Sequence, residues 1–338
     1  MAAEAQAEVP AAFWIGGRIP VRNRVLAAPM CGSSKLPYRE QARRFGADVV
    51  YTEMVKAKPL VKDDAKTLRL LATSPGESPC GAQVCGAEPE RMARAAARLE
   101  ALGFPLVDLN MGCPVRKIVR EGAGSALLRD PAQIEAVVRA CVAAVDVPVT
   151  VKVRSGWAHQ GHQDAATIAR AAEAGGAALI TIHARAREQR HDGPVDTAAL
   201  RAAKSAVAIP VVANGGVESA EDALWLLRES GCDAVMIGRG AHGRPWLFRD
   251  VARALAGREP LPPPSAEERA RLMGEHFEGL LELVGAHGVH LFRKHARWYF
   301  HSRPEAPEFV ERLYRAQTEA TVRELIAGWE ALARACAG

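Results

Sequence analysis

PAQIEAVVRACVAAVDVPVTVKV, from Pro131 to Val153, joins a helical run (Pro131 to Val145) to an unbroken β-branched run (Val149 to Val153) across a short Asp-Val-Pro break. Apolar residues at helical spacing followed by such a run are expected where a crossover helix covers a strand buried on both faces. The alternation extends in both directions. Strands are predicted at Val25–Ala28, Val49–Thr52, Cys80–Cys85, Val107–Asn110, Val149–Val153, Leu179–His183, Val211–Asn214 and Ala234–Ile237, eight in all. Helices are predicted at Tyr38–Phe45, Pro89–Leu102, Pro131–Val145, Asp164–Glu173, Thr197–Val207, Ala220–Ser230 and Trp246–Ala256. Lys56–Ser78, polar and broken by Pro59 and Pro75, marks no clear helix after the second strand. Eight βα units predict an α/β fold of the TIM (β/α)8 barrel type. An open doubly wound sheet would usually carry a Gly-rich turn after its first strand, and Ala27-Ala28-Pro29-Met30 has no glycine.

Arg258–Ser265 (REPLPPPS) cannot continue a helix and reads as a stiff linker, beyond which Ala266–Gly338 reads as helices only. The expected organisation is an N-terminal extension at 1–23, a barrel at 24–257, the Pro-rich linker at 258–265 and a small all-helical domain at 266–338. No repeat at solenoid periods accompanies the βα alternation.

With 338 residues, 49% hydrophobic and 25% charged, the chain can bury a large core, so disorder is not its default state. A formal net charge of +5 permits a polyanionic partner without demonstrating one. Acidic residues slightly outnumber Lys and Arg in the helical region, so any basic surface there is local, as in Arg293-Lys294-His295-Ala296-Arg297. The seven cysteines (Cys31, Cys80, Cys85, Cys113, Cys141, Cys232 and Cys336) are odd in number, scattered and without a C-x-x-C pair, which fits reduced thiols and no metal centre. Met1–Pro10 is Ala-rich and acidic, unlike a signal peptide, and no run is apolar and long enough to span a bilayer. A soluble cytoplasmic protein, acting as a monomer without a membrane partner, is expected.

In a barrel of this kind, chemistry gathers where strands end and βα loops begin. The residues predicted there are Glu53, Gln83, Asn110 with Cys113, Lys152 with Arg154, His183 with Arg185, Asn214 and Arg239. A purely structural barrel has no need for amide, imidazole, ammonium, guanidinium and thiol groups on one rim. Asn214-Gly215-Gly216 and Gly238-Arg239-Gly240 follow the seventh and eighth strands, where barrels commonly hold a phosphate on backbone N–H groups; two tight left-handed turns are the plainer alternative. Lys152, between Val151 and Val153, needs an anionic partner, either a reduced flavin or a core carboxylate such as Glu53. His183 reads either as a ligand contact or as a satisfied core histidine. Cys113 opens a long glycine-bearing segment, Met111–Asp130, read as a mobile lid that exposes the thiol for proton transfer; a small buried hydrophobe is the alternative, and is the reading given to Cys141 and Cys232.

Several segments together resemble the tRNA-dihydrouridine synthases, most closely their DusB-like bacterial branch. They are AAPM (Ala27–Met30), YTEM (Tyr51–Met54), DLNMGCP (Asp108–Pro114), VKVR (Val151–Arg154), IHAR (Ile182–Arg185), ANGG (Ala213–Gly216) and IGRG (Ile237–Gly240), with RKHARWY (Arg293–Tyr299) extending the match into the helical region. The resemblance implies an FMN- and NADPH-dependent oxidoreductase that reduces the C5=C6 bond of uridines in tRNA. It implies that Pro29, Met30 and Cys31 line the FMN ring, that Gln83 hydrogen-bonds its edge, and that Lys152 and His183 contact its ring or ribityl side. Asn214, Gly215, Gly216, Gly238 and Arg239 would bind its phosphate. Cys113 falls on the family's catalytic cysteine, Asn110 and Arg185 would meet the uracil, and Arg293, Lys294 and Arg297 the tRNA backbone. Three departures stand out: Cys31 where small residues such as Ala are commoner, Ala184 where the family usually has Gly, and Arg190-His191-Asp192-Gly193-Pro194 where relatives often carry an aromatic. Three rivals remain: an FMN barrel reducing a free small molecule of the dihydroorotate or dihydropyrimidine type, a flavin-free phosphate isomerase or synthase, and a non-catalytic RNA-binding or folding factor.

Overall fold

The computed structural model describes residues 10–158, 164–189, 193–300 and 306–335; Cys336 and Arg190-His191-Asp192 lie outside them. The described chain opens with an antiparallel hairpin, β1 (Phe13–Ile15) and β2 (Ile19–Val21), inside the stretch read as an extension. Gly16 and Gly17, both at positive φ, make the tight turn of a three-residue hairpin loop, Gly16–Arg18. Strands this short show no readable period, so only the Gly-Gly pair signalled them.

The barrel strands are β3 (Val25–Ala27), β4 (Val50–Tyr51), β6 (Cys80–Cys85), β7 (Val107–Met111), β8 (Val149–Arg154), β9 (Leu179–His183), β10 (Val211–Asn214) and β11 (Ala234–Ile237), paired in parallel in the order β3-β11-β10-β9-β8-β7-β6-β4. A parallel bridge between Leu26 and Val49, with Ala27 N–H donating to the Val49 carbonyl at 2.9 Å, joins the two ends of that order. All eight predicted strands are present, and the fold is a (β/α)8 barrel followed by helices. The second strand is interrupted: β5 (Val55–Lys56) also pairs with β6, and between β4 and β5 the Thr52 hydroxyl takes the Gln83 N–H at 3.1 Å in place of a ladder bond.

The helices are α1 (Leu36–Arg44), α2 (Ala57–Leu60), α3 (Ala65–Leu70), α4 (Pro89–Ala101), α5 (Arg116–Arg120), α6 (Pro131–Val142), α7 (Ala165–Ala174), α8 (Thr197–Ala206), α9 (Ala220–Ser230), α10 (Trp246–Leu255), α11 (Ala266–Val284), α12 (His287–Tyr299), α13 (Ala306–Arg315) and α14 (Glu319–Ala335). Asp130, Asp164, Asp196 and Ser219 each accept the N–H three residues on, which satisfies a donor the helix start would otherwise leave orphaned. Asp164 is therefore a cap rather than the first helical residue. Lys56–Ser78, which showed no clear helix in the sequence, holds α2 and α3; each is too short for periodicity to reveal, and only the Asp64 cap on Thr67 marks the second.

Strand alternation divides the core in two. Val25, Ala27, Val107, Leu109, Val149, Val151, Ile180, Ile182, Val211 and Val235 face the surrounding helices. Their neighbours Leu26, Leu106, Leu179, Val212, Ala234 and Met236 fill the barrel interior together with Ile15, Ile19 and Val21 of the hairpin, which plugs the barrel at the strands' N-terminal ends. Gly81 makes room for Tyr51 in this interior, because a Cβ there would lie 2.7 Å from both Tyr51 and Leu106.

Helices α11 to α14 share an aromatic core that includes Phe277, Phe292, Phe309 and Trp329, and Trp246 of α10 joins it. The seam with the barrel is close: Gly243 (φ +66°) lies where a Cβ would stand 2.2 Å from the Trp298 backbone, so α12 requires glycine there. His242 stacks on Trp298 with ring centroids 3.7 Å apart. Tyr299 donates to Gln41 Oε1 at 2.7 Å and therefore accepts from His276, whose Nδ1 lies 3.0 Å away and carries the proton. No described helix is long and apolar enough to cross a membrane.

Burial lowers His276 to about 3, with His242 and Lys294 adding to it, lowers His242 to about 4, and holds His295 well below its ordinary value. These histidines are neutral in the fold but protonate near 6.5 when unfolded, so their stabilisation is full above that pH and is lost as pH falls. Asp48 and Asp108, raised by burial, pull the other way. His276→Gln keeps a donor for Tyr299 and removes one titrating group. Its melting temperature should therefore fall less between pH 7 and pH 5 than that of the unaltered chain, by the equivalent of about 2 kcal/mol at pH 5. Equal losses in calorimetry would place the acid sensitivity elsewhere.

Candidate active site

Towards the C-terminal ends of the strands the inward-facing residues turn polar. Strand β7 contributes Asp108 and Asn110, β8 contributes Thr150, Lys152 and Arg154, and β6, β9 and β10 contribute Gln83, His183 and Asn214. They lie in or beneath a cavity of about 640 Å³ at the barrel mouth. Pro29, Met30 and Cys31 wall it on the loop after β3, and Gly215, Gly216, Gly238 and Arg239 on the loops after β10 and β11. Gln83, Asn110, Cys113, Lys152, His183, Arg185 and Asn214 complete the predicted set. All fourteen barrel residues assigned above to the flavin, the uracil or proton transfer thus line one cavity, as does Arg154, whereas Glu53, also expected at the rim, does not.

Lys152 donates to Asn214 Oδ1 at 2.8 Å, and Asn214 Nδ2 donates to the Met236 carbonyl at 2.8 Å. Glu53 is not the partner of Lys152. It pairs instead with Lys35 at 2.9 Å, because it sits in the break between β4 and β5, beside the loop that leads into α1. Burial, reinforced by Arg154, lowers Lys152 to about 8, with the Asp108 charge opposing. Asp108 is buried and raised to about 6 by desolvation; hydrogen bonds from Gln83 Nε2 and the Thr150 hydroxyl, both at 2.7 Å, work against the shift.

Cys113 is half-buried rather than exposed, packed against Cys85, Ile118 and Ala123. The segment read as a mobile lid is ordered by α5 and by a 3-10 turn over Gly124–Arg129, where Gly124–Leu128 are buried. Asn110 Oδ1 accepts the N–H groups of Gly112 (3.2 Å) and Cys113 (3.0 Å), and the Ser125 N–H donates to the Cys113 carbonyl at 3.0 Å. Burial pushes the thiols of Cys80, Cys85 and Cys141 up to about 12 and that of Cys232 to about 11, as befits packing residues. Cys31 is also raised, by burial first and then by Glu53.

Arg154, assigned no role from sequence, ties the site together. Its Nε donates to the Gly112 carbonyl at 3.0 Å and its guanidinium to the Ala186 carbonyl at 3.2 Å. Burial lowers it to about 10; the neighbouring Arg185 and Arg239 lower it further, while Cys113 opposes them. The V-K-V-R alternation already placed it on the same inward face as Lys152. Arg185 donates to the Gly193 carbonyl at 2.8 Å. On the rim, Trp157 is flanked by the guanidiniums of Arg129 and Arg187, each 4.5 Å from its ring.

The residues of the predicted Arg293–Arg297 patch differ in their surroundings. Arg293 donates to the Ala316 carbonyl at 2.6 Å and to Gln317 at 3.0 Å, His295 is buried, and only Arg297 is exposed. Lys294 reaches across the seam to the Gly32 carbonyl, in the loop that carries Met30 and Cys31.

A model of the dihydrouridine synthase (Dus) family matches residues 25–336. The chain is 41% identical over 304 residues to tRNA-dihydrouridine synthase B of Xanthomonas axonopodis pv. citri (strain 306), covering 89% of this chain and 91% of that one. It is 38% identical over 316 residues to tRNA-dihydrouridine synthase B of Pseudomonas aeruginosa, covering 92% and 95%. Among solved structures, 2-naphthoyl-CoA reductase (TM-score 0.56, 14% identity) aligns over 73% of this chain and 52% of its own, and histamine dehydrogenase from Rhizobium sp. 4-9 (TM-score 0.53, 14% identity) over 75% and 48%. The chain spans about half the length of these two, and the likeness is one of fold.

Gly124 (φ +59°) backs the Cys113 turn, and a Cβ there would lie 2.8 Å from the Cys113 carbonyl oxygen. Gly124→Ala should cost about 1–3 kcal/mol of stability and change the rate at which a maleimide labels Cys113, resolved by mass spectrometry. Gly122→Ala, also at positive φ but 3.7 Å from its nearest neighbour, should lose stability and leave the labelling rate unchanged. Unchanged labelling in both variants would mean that Gly124 does not set the thiol's position.

Proposed function

The chain belongs to the dihydrouridine synthase family, and on that premise we propose that it reduces the C5=C6 bond of uridine in tRNA, with FMN as cofactor and NADPH as reductant. The observation that carries this reading is the convergence of Cys113, Lys152 and the two glycine loops on one cavity. A family match that runs to residue 336 favours a macromolecular substrate over a free small molecule, since it takes in the helical region as well as the barrel.

The residues fit FMN. Gly215 and Gly216 hold positive φ, their N–H groups donate to no other described group, and a Cβ on Gly215 would occupy space beside His183 and Arg185. Those N–H groups, Gly238 and Arg239 suit a phosphate. Lys152, whose hydrogen bond goes to a neutral amide, suits the electron-rich side of an isoalloxazine, while Gln83 suits its polar edge and Pro29, Met30 and Cys31 its face. Bound FMN is the source of hydride for C6 of the uracil.

The chain's own residues do the rest. Asn110 and Arg185 orient the base, and the Cys113 thiol gives its proton to C5, leaving a thiolate beside the Arg154 guanidinium. The uridine must leave its stack to enter the cavity, at a cost of a few kcal/mol that phosphate contacts offset. Residues 266–338 serve as the RNA-binding module, with Arg297 on its exposed face, and the enzyme acts as a cytoplasmic monomer.

Cys113→Ala should keep bound FMN and NADPH oxidation while dihydrouridine formation in tRNA falls about 10²- to 10⁴-fold. Full modification by that variant would remove the cysteine from the reaction. Lys152 carries its charge below about pH 8 in the flavin-free site. FMN affinity, read by fluorescence titration, should therefore weaken as pH rises through 8, by up to about tenfold per unit, and Lys152→Met should abolish the dependence. A slope that survives in Lys152→Met belongs to another group.

A further inference from the structure

Beneath the cavity, a row of side chains forms hydrogen bonds that all run towards Asp108. The N–H groups of Gly112 and Cys113 can only donate, so Asn110 must turn Oδ1 towards them, and both lone pairs of that oxygen are used. Its Nδ2 then faces Gln83 and finds Oε1 at 2.9 Å. Gln83 is thereby left presenting Nε2 to Asp108 Oδ2 at 2.7 Å, while Asp108 Oδ1 takes the Thr150 hydroxyl at 2.7 Å. An amide can be reversed in place and a carboxylate cannot act as a donor, so the acceptor at one end and the backbone donors at the other admit a single polarity.

We propose that Asp108 is a positioning residue that fixes the polarity of the Gln83–Asn110 relay, so that these two amides hold the Cys113 turn and show the cavity N–H donors. Asp108 itself is 2% exposed and does not line the cavity. Each amide nitrogen carries two N–H bonds and, among the described residues, commits one of them within the relay. The two that remain belong to residues lining the cavity, and they select a ligand edge bearing carbonyl oxygen or an unprotonated ring nitrogen. Both a flavin ring and a uracil offer such an edge, and only in naming them does the inference rest on the proposed function. Without an acceptor at position 108, Gln83 either buries an unsatisfied donor or reverses. Reversal puts two nitrogens face to face at Asn110, which must then reverse too and release the Cys113 turn.

The test compares two substitutions on the full chain freed of flavin, reading FMN affinity by fluorescence titration and the maleimide labelling rate of Cys113 by mass spectrometry. Asp108→Asn keeps an acceptor for Gln83 and turns its own N–H groups to Thr150, so both readouts should stay within about threefold of the unaltered chain. Asp108→Leu keeps the branched outline of the side chain, with bulkier methyl groups in place of the oxygens, and loses the acceptor; FMN should bind about tenfold more weakly or worse, and Cys113 should label about tenfold faster. Should the leucine variant fail to fold, Gln83→Glu provides the second route. Alone, it sets two carboxyl groups against each other and should label fast. Combined with Asp108→Asn, the introduced carboxylate gains a donor and labelling should return to slow while FMN binding stays weak, because the side chain at position 83 no longer has an N–H to offer. Equal behaviour of Asp108→Leu and Asp108→Asn, or a double variant that still labels fast, would overturn the relay. An unaltered chain that takes up no FMN would sink the flavin reading instead, and the labelling rates would still decide the role of Asp108.

Discussion

A closed barrel sends every second residue of every strand into one shared interior that water does not reach, and the rest of this molecule follows from how that interior is filled. At the N-terminal ends of the strands it is filled with aliphatic side chains, Tyr51 and the β1–β2 hairpin, whose Ile15, Ile19 and Val21 complete the packing. Higher up, the inward positions include Asp108, Thr150, Gln83, Asn110, Lys152 and Asn214, and each of these six side chains has a hydrogen-bond partner within the set. Burying a polar group without such a partner is costly, and the Thr181 hydroxyl of β9 is an exception, with none among the described residues. The cavity begins where the strands end and the filling stops, so the layer that closes the core is also the floor of the site.

Much of this was legible because the barrel repeats one rule eight times. Val151, Lys152, Val153 and Arg154 alternate outward and inward, and the same period places Asp108 with Asn110 and His183 at the end of β9. What stayed hidden lacked either length or period. The hairpin strands have three residues each, the segment Lys56–Ser78 carries helices of four and six, and α5 has five, so none spans enough turns or alternations to be told from a loop. Charge pairing was hidden for another reason: nothing in sequence order says that the break in the second strand brings Glu53 to Lys35 and leaves Lys152 to an amide.

The basic run at Arg293–Arg297 shows how helical geometry redistributes a motif that looks continuous on paper. Successive residues on a helix point about 100° apart, so a run of five is spread around the helix and its members meet different surroundings. His295 and Ala296 enter the seam, Arg293 turns to the α13–α14 connection, Lys294 binds the Gly32 carbonyl, and Arg297 is left to the solvent. The seam itself is built for close approach, with Gly243 against the Trp298 backbone and His242 stacked on its indole. His242 and Met30 line the cavity, while Trp298 and Lys294 belong to α12, so the helical region and the loop after β3 share one packed joint.

That joint and the relay beneath the cavity solve the same problem with different means. On the proposed reading Cys113 is a proton donor, and such a group is useful only where its hydrogen meets the carbon that needs it; a shift of an ångström is costly. Cys113 stands on a turn rather than on a strand, where backbone freedom is greatest. Its position is held from three sides by groups that are themselves held: Asn110 caps the turn from below, Arg154 takes the Gly112 carbonyl, and the Ser125 N–H takes the Cys113 carbonyl. Two of the anchors lead back to strands, Asn110 through Gln83 and Asp108 to β6 and β7, and Arg154 to β8, while Ser125 sits in the 3-10 turn over Gly124–Arg129. A loop that must be precise without being part of the sheet borrows its order from the strands through side-chain hydrogen bonds, which is why polar residues gather inside this end of the barrel.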